Sequence, residues 1–154
     1  MLHKVVQLGG KSYFWLEKTN VVSMIQEYQV SGFRVREYEE LGSTNTETER
    51  VGWNELEDKM VILTYRQTQG RGQVGNHWES EPGKNISMTV VFKPRELPAG
   101  QQFAVSMVIA LGACDFISRY VSGCSVKWPN DIYVGDRKIS GILIEHSIMG
   151  RYVG

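Results

Sequence analysis

The chain has 154 residues, 42% of them hydrophobic and 22% charged, with 17 Lys and Arg balancing 17 Asp and Glu. Such a length and composition fit one soluble globular domain able to bury its own core. The balanced charge offers no field for nucleic acid or an anionic membrane, no run of roughly eighteen apolar residues marks a membrane span, and the first residues lack the apolar stretch of a signal peptide.

Residues 1–32 read as an N-terminal appendage and 33–154 as the core. Leu2 to Leu8 and Ser12 to Leu16 suit two strands around Gly9-Gly10. Thr19 or Asn20 is expected to cap a helix reaching Val30, with Val21, Val22, Ile25 and Tyr28 on one face. Phe33 to Leu41 reads as a strand. Ser43 or Thr44 then opens a short helix, with Glu47 in its first turn suiting the helix dipole. That helix start is either a plain cap or a set of free N–H and hydroxyl groups able to hold a polar ligand.

Met60 to Tyr65, MVILTY, is a continuous apolar run of the kind found in buried strands. Ile86 to Phe92 is another strand. Gln101 to Tyr120 reads as a helix with little polar face, expected to be the central core helix. Ser125 to Trp128 and Ile132 to Val134 are short strands. Gly135-Asp136 is expected as a type I′ hairpin turn leading to RKISGILIEHS, a strand covered on both faces. Tyr152 and Val153 start one more strand. Cys114 and Cys124 are not in a metal-binding spacing and are expected to be buried free thiols, which fits a cytoplasmic protein.

Between the two apolar strands lies Arg66 to Asn85, RQTQGRGQVGNHWESEPGKN. A glycine-rich loop of this length within a domain is usually functional or disordered. Gly70-Arg-Gly72-Gln-Val-Gly75 matches G-x-G-x-x-G, but the residues after Gly75 cannot open the helix that a dinucleotide fold requires. A phosphate loop ending in Gly-Lys-Ser/Thr is absent as well. What remains is a loop whose Gly70 and Gly72 let backbone approach a ligand, whose Arg71 suits a phosphate or carboxylate, and whose Trp78 offers a flat surface to a base. It would act as a lid over a nucleotide. The plainer alternative is a mobile surface loop with one stray arginine. The second cluster is Lys127-Trp-Pro-Asn130-Asp131 followed by Lys138 and Gly141. Two lysines, an aspartate and an asparagine beside such a loop read as a triphosphate site, with Asp131 the candidate Mg²⁺ ligand.

Ser43-Thr44-Asn45, RQTQGRGQVGNHW and KWPNDIYVGDRKISGILIE together resemble the catalytic domain of biotin–protein ligases, also called biotin–acetyl-CoA-carboxylase ligases. The resemblance runs from Val35 to Glu145. It implies an α/β (α+β) fold, a mixed β-sheet backed by helices similar to the class II aminoacyl-tRNA synthetase core. It implies a two-step reaction. Biotin's carboxylate attacks the α-phosphate of MgATP to give biotinoyl-5′-AMP, and a lysine of a biotin carboxyl carrier protein then takes the acyl group.

Carried over by position, Ser43, Thr44, Asn45, Gln67 and Gly141 face biotin, and Gly70, Arg71 and Gly72 close over the adenylate. Gln73, Asn76, Trp78 and Asn130 lie on the nucleotide, and Lys127 and Asp131 lie near phosphates and metal. Lys138 sits where carboxylate and phosphate react. Lys138, Arg71 and Lys127 are thus the expected catalytic residues. Many members of that family have arginines where Gln73, Val74 and Asn76 stand, and the family domain continues past Gly154, so the chain reads as lacking a C-terminal part. Lipoate–protein ligase and a non-catalytic biotin- or adenylate-binding fragment stay open as alternatives. So does homodimerisation through an exposed sheet edge.

Overall fold

Five consecutive residues, Met60 to Thr64, are buried at every position. In the computed structural model, which describes residues 4–8, 11–15, 23–94, 97–146, 148–149 and 152–153, they form the strand around which a four-stranded sheet is built. In chain order the elements are β1 (Lys4–Leu8), β2 (Lys11–Trp15), β3 (Met24–Val30), β4 (Phe33–Tyr38), α1 (Thr44–Val51), β5 (Met60–Thr64), β6 (Gly70–Arg71), β7 (His77–Trp78), β8 (Ser87–Val90), α2 (Gln102–Ser118), β9 (Cys124–Lys127), β10 (Asp131–Val134), β11 (Arg137–Gly141), β12 (Ile148–Met149) and β13 (Tyr152–Val153). The main sheet runs β3-β4-β5-β8, with β4 and β5 parallel and the other pairs antiparallel. A second sheet, β11-β10-β9, is antiparallel throughout. β1 pairs with β2, β6 with β7, and β12 with β13. The expected mixed sheet with helices is present.

An apolar run suits β5 because both its edges are paired and both its faces are covered. On one face Met60 and Ile62 pack with Tyr38, Leu41, Leu56 and Val91, against Val51 of α1 and Trp53. On the other Val61 and Leu63 pack with Val35, Phe33 and Val90. Glu47 does more than meet the helix dipole. It is buried and held by the Arg50 guanidinium through two bonds of 2.7 and 2.8 Å. Burial first, and then the Glu47 carboxylate, pushes the Tyr38 phenol above its ordinary range.

Several sequence expectations need correction. Met24–Val30 is a strand, not the second half of a helix, while Thr19 and Asn20 lie outside the described residues. Ser31 and Gly32 both adopt positive φ, the turn that folds β3 back onto β4, so pairing with β4 overrides the helical spacing. This strand, although it precedes residue 33, is therefore hydrogen-bonded into the main sheet. Gly9-Gly10 and Gly150 also fall outside the described residues.

α2 has the expected extent but is not a central core helix. Ala110 is its one residue described as buried, and Phe103, Val108, Leu111 and Phe116 are each more than half exposed. The helix is apolar all round, and it packs on β9 and β10 from one side. The turn at Gly135-Asp136 has positive φ at Gly135 alone, as in the II′ class rather than I′. Finally, β11 is not covered on both faces. It is the edge of its sheet and ends at Gly141, with Ile139 47% exposed.

Substituting Ile62→Ala, at a fully buried position, is expected to cost about 2–5 kcal/mol in urea denaturation. Ile139→Ala should stay within about 0.5 kcal/mol. Equal losses would show that β5 is not the centre of the core.

Candidate active site

The glycine-rich stretch is a small hairpin. Gly70 pairs with Trp78 and Arg71 with His77, and residues Gln73–Gly75 make a single 3₁₀ turn between the strands. The three glycines serve that turn. A Cβ on Gly70 would lie 2.3 Å from the Trp78 carbonyl oxygen and 2.8 Å from Gln67 Nε2, and Gly75 adopts a φ of +76°. No dinucleotide-type helix follows, as the sequence context required.

The stem of this loop runs beside the start of α1. Leu41 N–H donates to the Arg66 carbonyl (3.0 Å), Thr68 N–H to Leu41 (2.9 Å) and Gln69 N–H to Gly42 (2.7 Å). Ser43 is the N-cap residue but makes no side-chain cap bond. The first turn is capped from the loop instead: Gln67 Oε1 accepts the Thr44 N–H at 3.0 Å and lies 3.4 Å from the Thr44 hydroxyl. From β8, the Thr89 hydroxyl donates to Asn45 Oδ1 and lies 2.8 Å from Thr44 Oγ1. Ser43, Thr44, Asn45, Gln67 and Gly70 therefore share one neighbourhood.

The second cluster depends on an irregularity in β11. Lys138 and Gly141 are three residues apart, and a regular strand would place them on opposite faces. The pairing shifts register, however: Ile132 faces Ser140, and the next residue, Tyr133, faces Lys138. Ile139 is thus the extra residue of a β-bulge. The bulge puts Lys138 and Gly141 on the same face as Asp131, Tyr133 and Lys127. On that face Lys138 Nζ is 2.7 Å from Asp131 Oδ1 and 4.8 Å from the Trp78 ring centroid. A Cβ on Gly141 would meet Trp78 Cζ3 at 2.8 Å and Lys138 Cε at 3.2 Å. Gln67, Gly70, Trp78, Lys138, Gly141 and Asp131 form one continuous chain of contacts between the loop and the second sheet.

The remaining sequence candidates are placed less centrally. Lys127 Nζ lies 5.4 Å from the Tyr133 ring. The Asn130 side-chain amide donates to the Ile142 carbonyl (2.8 Å), so it secures the chain just past β11. Arg71 points at two carboxylates, Glu49 (2.9 Å) and Glu145 (3.3 Å), and Asn45 Nδ2 donates to the same Glu145 oxygen at 2.9 Å. Its guanidinium is raised further above its ordinary range, first by the bond to Glu49. Arg71, Gly72, Gln73 and Asn76 line an open cleft of about 610 Å³, completed by His77 and Leu143 to Glu145. A second cleft of about 430 Å³ lies beside Gln67, Gly70 and Trp78. Lys138 and Gly141 line neither, because the Trp78 ring rests on them. Among the described residues no group of three His, Cys, Asp or Glu could hold a metal on its own.

Three residues of this site were not found in the sequence. Thr89 carried a weak signal, being polar at the position that pairs with buried Ile62 on the α1 side of the sheet. Glu49 and Glu145 carried none, since their partner Arg71 is 22 and 74 residues away.

A family model described as the biotin/lipoate A/B protein ligase family matches residues 38–153. The chain belongs to that family. It is 31% identical over 144 residues to the bifunctional ligase/repressor BirA of Escherichia coli, covering 92% of this chain and 44% of that protein. To the biotin–[acetyl-CoA-carboxylase] ligase of Paracoccus denitrificans it is 31% identical over 110 residues, covering 70% of this chain and 45% of the relative. Among solved structures, biotin acetyl coenzyme A carboxylase synthetase from Helicobacter pylori with bound biotinylated ATP superposes with a TM-score of 0.58 at 29% identity, over 75% of this chain and 55% of that one. The chain thus spans about half the length of these biotin/lipoate ligase relatives.

Gly141→Ala tests the contact between the glycine hairpin and the second sheet. The added methyl has room only if Trp78 moves, so near-UV circular dichroism should change while stability falls by about 1–3 kcal/mol. An unchanged aromatic signal would mean that the ring does not rest on Gly141.

Proposed function

We propose that this chain is the catalytic part of a biotin–protein ligase, joining biotin through biotinoyl-5′-AMP to a lysine of a biotin carboxyl carrier protein. The observation that carries the reading is the bulge in β11, which sets Lys138 and Gly141 side by side against Trp78 of the glycine hairpin. The names of two relatives, a biotin–[acetyl-CoA-carboxylase] ligase and a biotin acetyl coenzyme A carboxylase synthetase with bound biotinylated ATP, support the choice of substrate.

The reaction needs charge neutralisation and positioning rather than a covalent protein nucleophile. In the first step a biotin carboxylate oxygen bonds to the α-phosphorus of ATP and pyrophosphate leaves. Lys138 neutralises the negative charge that gathers between carboxylate and phosphate, releasing Asp131 to do so. Arg71 exchanges its two glutamates for the anion of the adenylate, and the hairpin excludes water from the mixed anhydride. Ser43, Thr44, Asn45 and Gln67 offer donors and acceptors to the ureido end of biotin, and Gly141 leaves space beside Lys138. Gln73, Asn76, Trp78, Lys127 and Asn130 attend the nucleotide. In the second step the acceptor lysine amine attacks the acyl carbon and AMP leaves.

Mg²⁺ would arrive with the triphosphate. One carboxylate plus substrate phosphates is a normal Mg²⁺ environment, and Asp131 is the carboxylate that fits, although Lys138 occupies one of its oxygens. We place the protein in the cytoplasm and retain the homodimer as part of the same proposal. The unit of 33–154 remains the proposed core, and β3 (Met24–Val30) pairs onto its β4 from the N-terminal segment.

The family description spans lipoate as well as biotin, so lipoate transfer is the second reading. Pyrophosphate–ATP exchange by the full-length protein should depend on biotin and ignore lipoate. Exchange driven by lipoate alone would reverse the assignment, and tight biotin binding with no exchange would make the protein a binder. Lys138→Ala is expected to slow biotin-dependent adenylation about 10²–10³-fold, as loss of a main charge-stabilising group does. Adenylation within a few-fold of wild type would remove Lys138 from the reaction.

A further inference from the structure

Behind the candidate site, α2 and the second sheet meet through two thiols. Cys114 lies near the C-terminal end of α2 and Cys124 opens β9, and their sulfurs are 3.1 Å apart. Both are free and only partly buried, so the expectation of buried thiols is corrected. Backbone geometry holds the pair in register. The segment between them ends at Gly123, with φ +77°, and Gly135 N–H donates to the Gly123 carbonyl at 3.2 Å. The Ser118 hydroxyl donates to the Cys114 carbonyl at 2.8 Å. Cys124 shares its sheet face with Val126, Ile132 and Val134, opposite the face that carries Lys127, Asp131, Lys138 and Gly141. The ligase chemistry therefore makes no use of either sulfur.

We propose that Cys114 and Cys124 are a redox-active dithiol that a small-molecule disulfide of the glutathione type oxidises reversibly to an intramolecular disulfide. The thiolate of Cys124 attacks the small disulfide, forming a mixed disulfide and releasing one small thiolate, which takes up a proton. The thiolate of Cys114 then attacks the Cys124 sulfur and expels the second small thiol. Two protein thiols and one small disulfide become one protein disulfide and two small thiols. The protein gives up two electrons and two protons, and the small disulfide receives them. The Cys114 thiol is pushed above its ordinary value, first by the contact with Cys124 and then by partial desolvation, which disfavours it as the first attacking thiolate. In a reducing compartment such a pair responds to redox change rather than serving as a permanent staple. Oxidised, it would tie the end of α2 to the start of β9, the strand that leads to Lys127.

The test is thiol titration with intact mass, after incubating the protein in graded mixtures of reduced and oxidised glutathione. Wild type should lose both thiols together, become lighter by two hydrogens, retain no glutathione, and recover fully with dithiothreitol. Cys114→Ser and Cys124→Ser should each retain one glutathione as a stable adduct. Retained glutathione on the wild type, independent loss of the two thiols, or a disulfide-linked dimer would overturn the proposal. If a single variant fails to fold, the wild-type mass and thiol count decide alone, and neither depends on ligase activity.

Discussion

Burial of β5 on both faces is the constraint from which the site follows. A buried strand must have its N–H and C=O groups paired along both edges, and β4 and β8 supply that pairing. The last residue, Thr64, is itself fully buried, and its hydroxyl accepts the Arg66 N–H at 3.1 Å. The chain is therefore turned as it leaves the sheet and directed along Leu41 and Gly42. That course delivers Gln67 to the first turn of α1 and sets Gly70 against Trp78. Strand β8 returns on the other side and brings Thr89 to Thr44 and Asn45. The hydrophobic core thus fixes the positions of polar groups that are far apart in the chain.

Two basic side chains of the candidate site, Arg71 and Lys138, are already partnered by carboxylates. Arg71 is shared between Glu49 and Glu145, and Lys138 is held by Asp131. These pairs are partly solvated, with 40% of the Arg71 side chain exposed, so each stabilises the fold by no more than about 1 kcal/mol. Charge-assisted bonds to phosphate or carboxylate are the stronger class. In the proposed reaction an anionic ligand would replace weak internal partners instead of entering an unbalanced positive pocket. Glu49 and Glu145 hold Arg71 in place, and Asp131 holds Lys138.

Where the signals were local, the sequence was a good guide. The apolar run at Met60, the cap residues at Ser43-Thr44 and the Gly-Asp turn between β10 and β11 each predict an element that is present. Met24–Val30 was ambiguous because Ile25 and Tyr28 suit a helix while Met24, Tyr28 and Val30 suit a strand. The choice was made by β4, through pairing that no short window contains. The burial of α2 was illegible for a similar reason: an apolar circumference says nothing about how many sides find a partner. Among site residues, the cluster of Gln67, Gly70, Lys138 and Gly141 could be named from motifs. The bulge that makes their spacing workable, and the carboxylates that hold Arg71, depend on register and on contacts across the fold.

Gln67 ties the loop to the helix by more than proximity. Because it supplies the cap that Ser43 does not, moving the loop stem also uncaps α1, and the loss of such a cap costs about 1 kcal/mol. Opening of the loop and fraying of the helix are thus thermodynamically linked. A molecule that steadies one end must steady the other, and the amide protons at the start of α1 become reporters of events in a loop more than twenty residues away in sequence.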